Sequence, residues 1–145
     1  MNVTLDTSAY SELGRAHKAI SEVIRRAETI ALSAIVLGEL HSGFRAGNRC
    51  AENIAQLAQF LSKPSVRVLN VTEETALRYA EIDVYLRKRG RPIPRNDVWI
   101  AAIALEFRNI SPRGCLFFSC ASLGQSSAPV GSIRAPMATS PRILR

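Results

Sequence analysis

The stretch Asn2-Val3-Thr4-Leu5-Asp6 decides the fold class of this chain of 145 residues. Val3 and Leu5 alternate with polar neighbours, which predicts a short β-strand that ends at an acidic residue. A helical pattern follows directly, as expected for the first unit of an alternating α/β fold. Ligands of such folds gather at the carboxyl ends of the strands, so Asp6 is placed where a functional site is expected.

Strands and helices continue to alternate after this first unit. Apolar residues recur with helical spacing from Ser8 to Ala27, with an interruption expected at Gly14. Two prolines in three residues predict a loop over Arg91–Asn96. Further strands are predicted at Thr29–Ile35, Val66–Val71 and Gly114–Cys120, and further helices at Val36–Phe44, Cys50–Leu61, Thr72–Arg89 and Asp97–Phe107. This order predicts an α/β fold, with a central parallel sheet flanked by helices in a single domain.

Bulk composition is that of a soluble globular protein, with 47% hydrophobic and 21% charged residues. The longest clean apolar run, Trp99–Leu105, is far below the roughly 20 residues that cross a bilayer. No signal peptide is recognisable, so we expect a cytoplasmic protein without a membrane partner. The three cysteines, Cys50, Cys115 and Cys120, form no CxxC pair, which favours free thiols over a zinc site or a disulfide framework.

The positive charge is unevenly distributed along the chain. Residues 1–106 hold 14 Lys and Arg and 12 Asp and Glu, a net charge of +2, whereas residues 107–145 hold five arginines and no acid, a net charge of +5. A basic balance is compatible with nucleic acid as a partner, because Lys and Arg neutralise phosphates. The signal is weak here, since most of the excess lies in an atypical C-terminal segment.

Three acids each lie beside an apolar segment: Asp6, Glu39 and Asp97. An ionised carboxylate is costly to bury without a partner, so acids placed against a core need a physical reason. One reason is capping of helix N-termini, which suits Asp6 and Asp97. The other is a divalent cation, because scattered hard oxygen ligands suit Mg²⁺ or Mn²⁺. Spacing alone leaves both explanations open.

The residues around these acids resemble the PIN-domain family, and within it the VapC-like ribonuclease toxins of toxin–antitoxin pairs. Three motifs carry the resemblance, in order and at typical separations, over about residues 1–106. They are Leu5-Asp6-Thr7-Ser8, then Leu37-Gly38-Glu39-Leu40 followed by Gly43, and Pro92-Ile93-Pro94-Arg95-Asn96-Asp97-Val98-Trp99-Ile100-Ala101-Ala102. The last motif is the most specific.

The resemblance implies a PIN-like fold in which Asp6, Glu39 and Asp97 are the catalytic carboxylates and hold Mg²⁺ or Mn²⁺. It implies hydrolysis of RNA phosphodiester bonds, a small antitoxin protein as partner, and a homodimer. Supporting roles next to the metal ligands are expected for Thr7, Ser8 and Asn96, with N-capping as the open alternative. Arg91 and Arg95 belong to a basic run before Asp97 that either contacts RNA phosphates or is simply solvated.

The chain departs from the family pattern after about residue 107. A fourth acid is expected just after Leu116-Phe117-Phe118-Ser119, where this sequence has Cys120, Ala121 and Ser122. The departure indicates either a frame change in the gene or a diverged tail. We therefore expect a PIN-like domain over residues 1–120 and an irregular or disordered basic tail over 121–145. The alternative function is a catalytically inactive PIN fold that acts as a binding module.

Overall fold

A parallel sheet covered by helices forms the centre of the fold. The structure, a computed structural model, describes residues 1–110 and 115–118. In these residues the strands are β1 (Asn2–Leu5), β2 (Thr29–Ser33), β3 (Val66–Leu69) and β4 (Cys115–Phe118). The helices are α1 (Thr7–Gly14), α2 (Lys18–Arg26), α3 (Ala34–Ala46), α4 (Cys50–Leu61), α5 (Glu73–Lys88) and α6 (Arg95–Ile110).

The strand order is β3-β2-β1-β4, and every neighbouring pair is parallel. In the central strand, Val3 is in register with Ile30 of β2 and Leu116 of β4. Parallel neighbours need crossover connections, which here are the helices that cover the sheet. The predicted α/β fold with a central parallel sheet flanked by helices is confirmed, and so is a strand within Gly114–Cys120.

The core lies where the sheet meets these helices. Val3 and Leu5 of β1 are fully buried, together with Ile20 of α2, Leu32 of β2 and Val36 of α3. Full burial of each such side chain contributes roughly 1.5–3 kcal/mol to folding. All four residues of β1 are buried, so both faces of the strand that precedes Asp6 are covered.

Two strands end earlier than the sequence predicts. The prediction of strand through Ile35 is wrong, because α3 begins at Ala34. The buried Ser33 side chain accepts a hydrogen bond from the Val36 N–H at 3.2 Å and so caps the helix. The third strand ends at Leu69 rather than Val71. Apolar runs do not mark these boundaries, because strand and helix bury the same residue types.

The last helix differs from the prediction at both ends. Arg95 and Asn96 were expected in a loop, but α6 begins at Arg95, and the Val98 N–H donates to the Pro94 carbonyl at 3.2 Å. A proline immediately before the first turn is compatible with a helix, because no N–H is needed there. The helix also continues beyond Phe107 to Ile110. The earlier start is the more important difference for the site, because it places residues 95–97 in the first turn of a helix.

The expected helix break is confirmed: α1 ends at Gly14 and α2 begins at Lys18. Between them Ala16 has a positive φ of 56°, a conformation that breaks the helical ladder. The predicted tail, residues 121–145, lies outside the described residues. None of the helices in the described part of the chain has the length and hydropathy needed to cross a membrane.

Helices α5 and α6 form an antiparallel pair that is joined by side-chain contacts at two places along its length. The Tyr79 and Trp99 rings stack with centroids 4.1 Å apart. Further along, the Glu106 carboxylate accepts hydrogen bonds from the hydroxyls of Thr72 and Thr75, next to the α5 N-terminus. Trp99 is therefore a helix–helix contact, half-buried rather than fully in the core. The pairing brings the end of α5 beside the start of α6.

The Ser33 cap is a testable support of α3. We expect Ser33→Ala to lower the free energy of unfolding by about 1 kcal/mol, because a buried N-cap acceptor is lost. Urea unfolding followed by circular dichroism measures the change. The matched control is Ser62→Ala, whose exposed hydroxyl bonds only to the Gln59 carbonyl, and which should change stability by less than about 0.5 kcal/mol. Equal effects of the two variants would contradict the capping role.

Candidate metal-binding carboxylate site

Asp6 stands directly after the central strand, at its carboxyl end. Its Oδ1 atom accepts a hydrogen bond from the Ala9 N–H at 2.7 Å, so Asp6 is the N-cap of α1. The capping explanation that the sequence left open is thus correct for one oxygen of this carboxylate. Capping also fixes the orientation of the side chain, because the helix and the strand are both anchored in the core.

Glu39 lies in the middle of α3, where helix capping cannot explain it. Both of its carboxylate oxygens accept hydrogen bonds from other elements. The Thr7 hydroxyl donates to Oε2, and the Asn96 side-chain amide donates to Oε1 at 2.8 Å. The Glu39 carboxylate therefore connects the first residue of α1 to the first turn of α6, across 32 and 57 positions of sequence.

Asp97 lies in the first turn of α6, next to Asn96. Partial burial raises the pKa of its carboxyl, and the negative charges of Glu39 and Asp6 raise it further. Each of these charges must be close to Asp97 to have this effect, since solvent screens distant ones. Asp97 is thus within electrostatic reach of Glu39 and Asp6, and the Asn96–Glu39 hydrogen bond places Glu39 beside the first turn of α6.

Among the described residues, no basic side chain forms an ion pair with this group of acids. Most other acids of the described residues are ion-paired: Glu12, Glu22, Glu28, Glu52, Glu74, Glu81 and Asp83. None of the ion pairs within residues 1–110 includes Asp6, Glu39 or Asp97. Three neighbouring carboxylates without a cation repel one another, which is unfavourable for folding. A cation from solution would relieve that repulsion.

The chemistry of the donors fits a divalent ion of the Mg²⁺ or Mn²⁺ type, because all three are hard carboxylate oxygens. Their arrangement is not a preformed cage. Within the described residues, no three Asp, Glu, His or Cys side chains are placed to hold one ion together. Asp6 and Glu39 direct oxygens to protein donors instead. The site therefore fits the ion in ligand type and charge.

The other predicted site residues divide into two groups. Thr7 and Asn96 contact Glu39 directly, whereas Ser8 is exposed and makes no hydrogen bond to the acids in the described part of the chain. Ser8 instead lines a cleft of about 270 Å³ along α1. Arg91 and Arg95 are exposed, and neither is ion-paired within the described residues. The contacts of Thr7 and Asn96 with Glu39 could not be found from sequence spacing.

The raised pKa of Asp97 gives a stability prediction. The folded state holds this proton more tightly than the unfolded state, so ionisation of Asp97 destabilises the fold above its folded pKa. In EDTA at neutral pH we expect Asp97→Asn to be more stable than the parent, by at most about 1 kcal/mol because water screens the group. The difference should vanish below a pH of about 4, where Asp97 of the parent is itself protonated. Urea titrations at several pH values measure it.

The matched control is Glu73→Gln, which removes the same charge from the first turn of α5. That acid interacts favourably with the helix dipole, so its loss should lower stability by a few tenths of a kcal/mol (~0.3). Stabilisation by both variants would point to general charge reduction instead of repulsion within the site. A less stable Asp97→Asn variant would contradict the repulsion argument.

Known proteins match this chain over the region that contains the site. The PIN domain family model matches residues 3–109. Ribonuclease VapC5 of Mycobacterium tuberculosis is 30% identical over 102 residues, which are 69% of this chain and 73% of that protein. Ribonuclease VapC2 of Rickettsia felis is 31% identical over 84 residues, 58% of this chain and 61% of that protein. This chain thus spans less than two thirds of the Rickettsia protein's length.

A solved structure agrees with the fold and the sequence match. The structure of VapBC-1 from nontypeable Haemophilus influenzae contains a chain with a TM-score of 0.71 and 26% identity, and the match covers 85% of this chain and 89% of that one. All three predicted acids fall inside the region that the family model matches. The chain belongs to the PIN domain family and is one of its VapC-like members.

Proposed function

We propose that this protein is a divalent-metal-dependent endoribonuclease and the toxin of a toxin–antitoxin pair. The observation that carries the proposal is the group of three neighbouring acids, Asp6, Glu39 and Asp97, which no basic side chain of the described residues neutralises. Most other acids of the described residues are ion-paired, so a group of three acids without an ion pair indicates a site that a cation completes.

Asp6, Glu39 and Asp97 would hold Mg²⁺ or Mn²⁺. When bound, such an ion supplies an activated water and stabilises negative charge on the phosphate oxygens of RNA. A phosphodiester is itself an anion, so three carboxylates without a cation would repel it. A cation at the acids would therefore make binding of RNA next to them more favourable.

Thr7 and Asn96 act as positioning residues for Glu39. Each donates to a different oxygen of the carboxylate, which restricts both its rotation and its choice of rotamer. A carboxylate held in one orientation by two donors is better placed to bind a metal than a freely rotating one. Asp6 is oriented in the same manner by the Ala9 N–H, through Oδ1.

The named relatives support an active enzyme over an inactive binding module. Both of the matched proteins quoted above are named ribonucleases. The positions where a fourth acid was expected, 120–122, lie outside the described residues, so the three acids carry the argument. An inactive fold would also gain nothing from three acids that destabilise it without a metal.

The proposed partner is a small antitoxin protein. The matched Haemophilus structure is that of VapBC-1, and it is 26% identical to this chain. By the same resemblance we propose a homodimer that acts on RNA in the cytoplasm. An antitoxin would act most directly by blocking access to the carboxylates.

Metal dependence is the first test of this function. Added Mg²⁺ or Mn²⁺ should stabilise the parent against unfolding, by about 2.7 kcal/mol at 100 times the dissociation constant. Asp97→Asn should fold but lose most of this stabilisation. Cleavage of a labelled RNA should need the ion and fall by about 100-fold or more in the variant, because a metal ligand is lost. If the parent shows neither stabilisation nor cleavage, the inactive module is the correct function.

The positioning role of Asn96 gives a second test. Asn96→Ala should reduce metal affinity or cleavage by about 10- to 100-fold, as is usual when a residue that orients a metal ligand is lost. Asn96→Asp supplies a further negative charge instead of a donor and should not restore cleavage. Asn53→Ala, on partly exposed α4, is the control and should leave cleavage unchanged. Parental cleavage by Asn96→Ala would show that Glu39 needs no such support.

A further inference from the structure

The turn between α5 and α6 carries a concentrated positive charge beside the carboxylate site. Residues 84–96 contain five basic residues and no acid. We name residues 87–95 the basic turn; its basic residues are Arg87, Lys88, Arg89, Arg91 and Arg95. Only Arg87 is ion-paired in the described residues, to Asp83 of its own helix. The remaining charge is available to an anionic ligand.

The backbone holds this turn in one conformation. Helix α5 ends in a Schellman motif, in which the Gly90 N–H donates to the Arg87 carbonyl at 3.0 Å and the Arg91 N–H donates to the Leu86 carbonyl at 3.1 Å. Gly90 has a φ of +63°, which glycine adopts without strain. Pro92 and Pro94 restrict the rest of the turn. A ligand that binds here orders little additional backbone, so less binding energy is lost.

The basic turn leads directly into the carboxylate site. Arg95 is the first residue of α6, Asn96 donates to Glu39, and Asp97 is one of the three acids. Because neighbouring Cα atoms are about 3.8 Å apart, the Arg95 backbone is within about 8 Å of that of Asp97. The antiparallel α5–α6 pair also keeps the end of α5 beside this start of α6. The backbone that carries these cations therefore adjoins the site.

An aromatic ring accompanies these cations. Tyr85 is 50% exposed, and the guanidinium of Arg89 lies over its ring, 4.5 Å from the centroid. Other aromatic rings are used within the fold: Tyr79 stacks on Trp99, and Tyr10 packs on Phe60. A stacked ring and guanidinium offer flat surfaces to a nucleobase, and such surfaces bind any unpaired base.

We propose that the basic turn and the Tyr85–Arg89 pair form an RNA-binding subsite, in which Lys88, Arg91 and Arg95 contact phosphates and the pair stacks one unpaired base. The proposal rests on the proposed ribonuclease function, because it names the surface that delivers RNA to that site. The positive charge of the turn favours an anionic ligand such as RNA. The exposed Tyr85 ring additionally favours a ligand with flat bases over a polyanion that has none.

Binding is measured on the full chain in EDTA, where no cleavage occurs. The probes are a fluorescent single-stranded RNA of about 12 nucleotides and the same strand annealed to its complement. Tyr85→Leu should weaken binding of the single strand by about 10-fold and leave duplex binding unchanged, because only unpaired bases stack. Tyr85→Phe should bind as the parent does. Arg89→Lys keeps the charge but loses the planar group, and should behave as Tyr85→Leu does.

The phosphate contacts are tested by salt dependence. Arg91→Gln combined with Arg95→Gln should weaken binding of both probes and lower the slope of log K against log salt by about 1.4 for the single strand, as two lost contacts require. The matched control, Lys18→Gln combined with Arg67→Gln, removes two exposed charges elsewhere and should leave the slope unchanged. Leu77→Ala, which changes another exposed side chain of α5, is the control for Tyr85.

Each result decides for or against the subsite separately from the ribonuclease function. If Tyr85→Leu weakens both probes equally, the stacking assignment is wrong. If neither probe is affected by the Tyr85, Arg89 or arginine variants, the subsite is refuted and a protein partner becomes the occupant of this surface. A parent that cleaves RNA with Mg²⁺ while these variants bind normally refutes only the subsite. A parent that binds RNA through Tyr85 yet never cleaves it refutes only the function.

Discussion

Parallel pairing of β1 with strands on both sides is the constraint on which the rest of the structure depends. Because β2 and β4 run in the same direction as β1, the carboxyl ends of these strands lie along one edge of the sheet. The helices that start after β1 and β2 begin at this edge. Asp6 and, through α3, Glu39 are thereby placed at the same end of the molecule. Each of the two helices is fixed there by a side-chain cap, from Asp6 and from Ser33.

The energetic consequence is a concentration of negative charge that no ion pair within the described residues compensates. Burial and the charges of Glu39 and Asp6 raise the pKa of Asp97. The Glu39 carboxylate, in turn, accepts hydrogen bonds from Thr7 and Asn96. Stability and function therefore make opposite demands on the same residues. A chain selected only for stability would replace one acid by a neutral residue or would add a basic neighbour. Natural proteins retain such a cost where a ligand offsets it.

Positive charge is arranged differently, on the rim rather than inside the site. A basic side chain paired with Glu39 or Asp97 would neutralise the acids and compete with a cation. At the α5–α6 turn, the same charge leaves the carboxylates available and, under the proposed function, would attract an anionic strand toward them. Gly90, with its positive φ, and the two prolines restrict the backbone of this turn before α6 begins. Separation of acids and bases over a short distance thus depends on backbone geometry.

The sequence by itself determined the class of fold, the order of its elements and the three acids, because apolar periodicity and the three motifs are local properties of the chain. It did not determine where β2 ends and α3 begins, because that boundary depends on the Ser33 cap. It also did not determine that Arg95 and Asn96 belong to α6, because that depends on the Pro94 carbonyl accepting from the Val98 N–H. Only the tertiary structure decided that Thr7 and Asn96 meet on Glu39, and that Tyr85 stays exposed under Arg89 while Trp99 is covered by Tyr79. The reason is physical: these contacts join residues far apart in the chain or on particular helix faces. They exist only when the sheet has aligned the ends of its strands and the helices have packed against it.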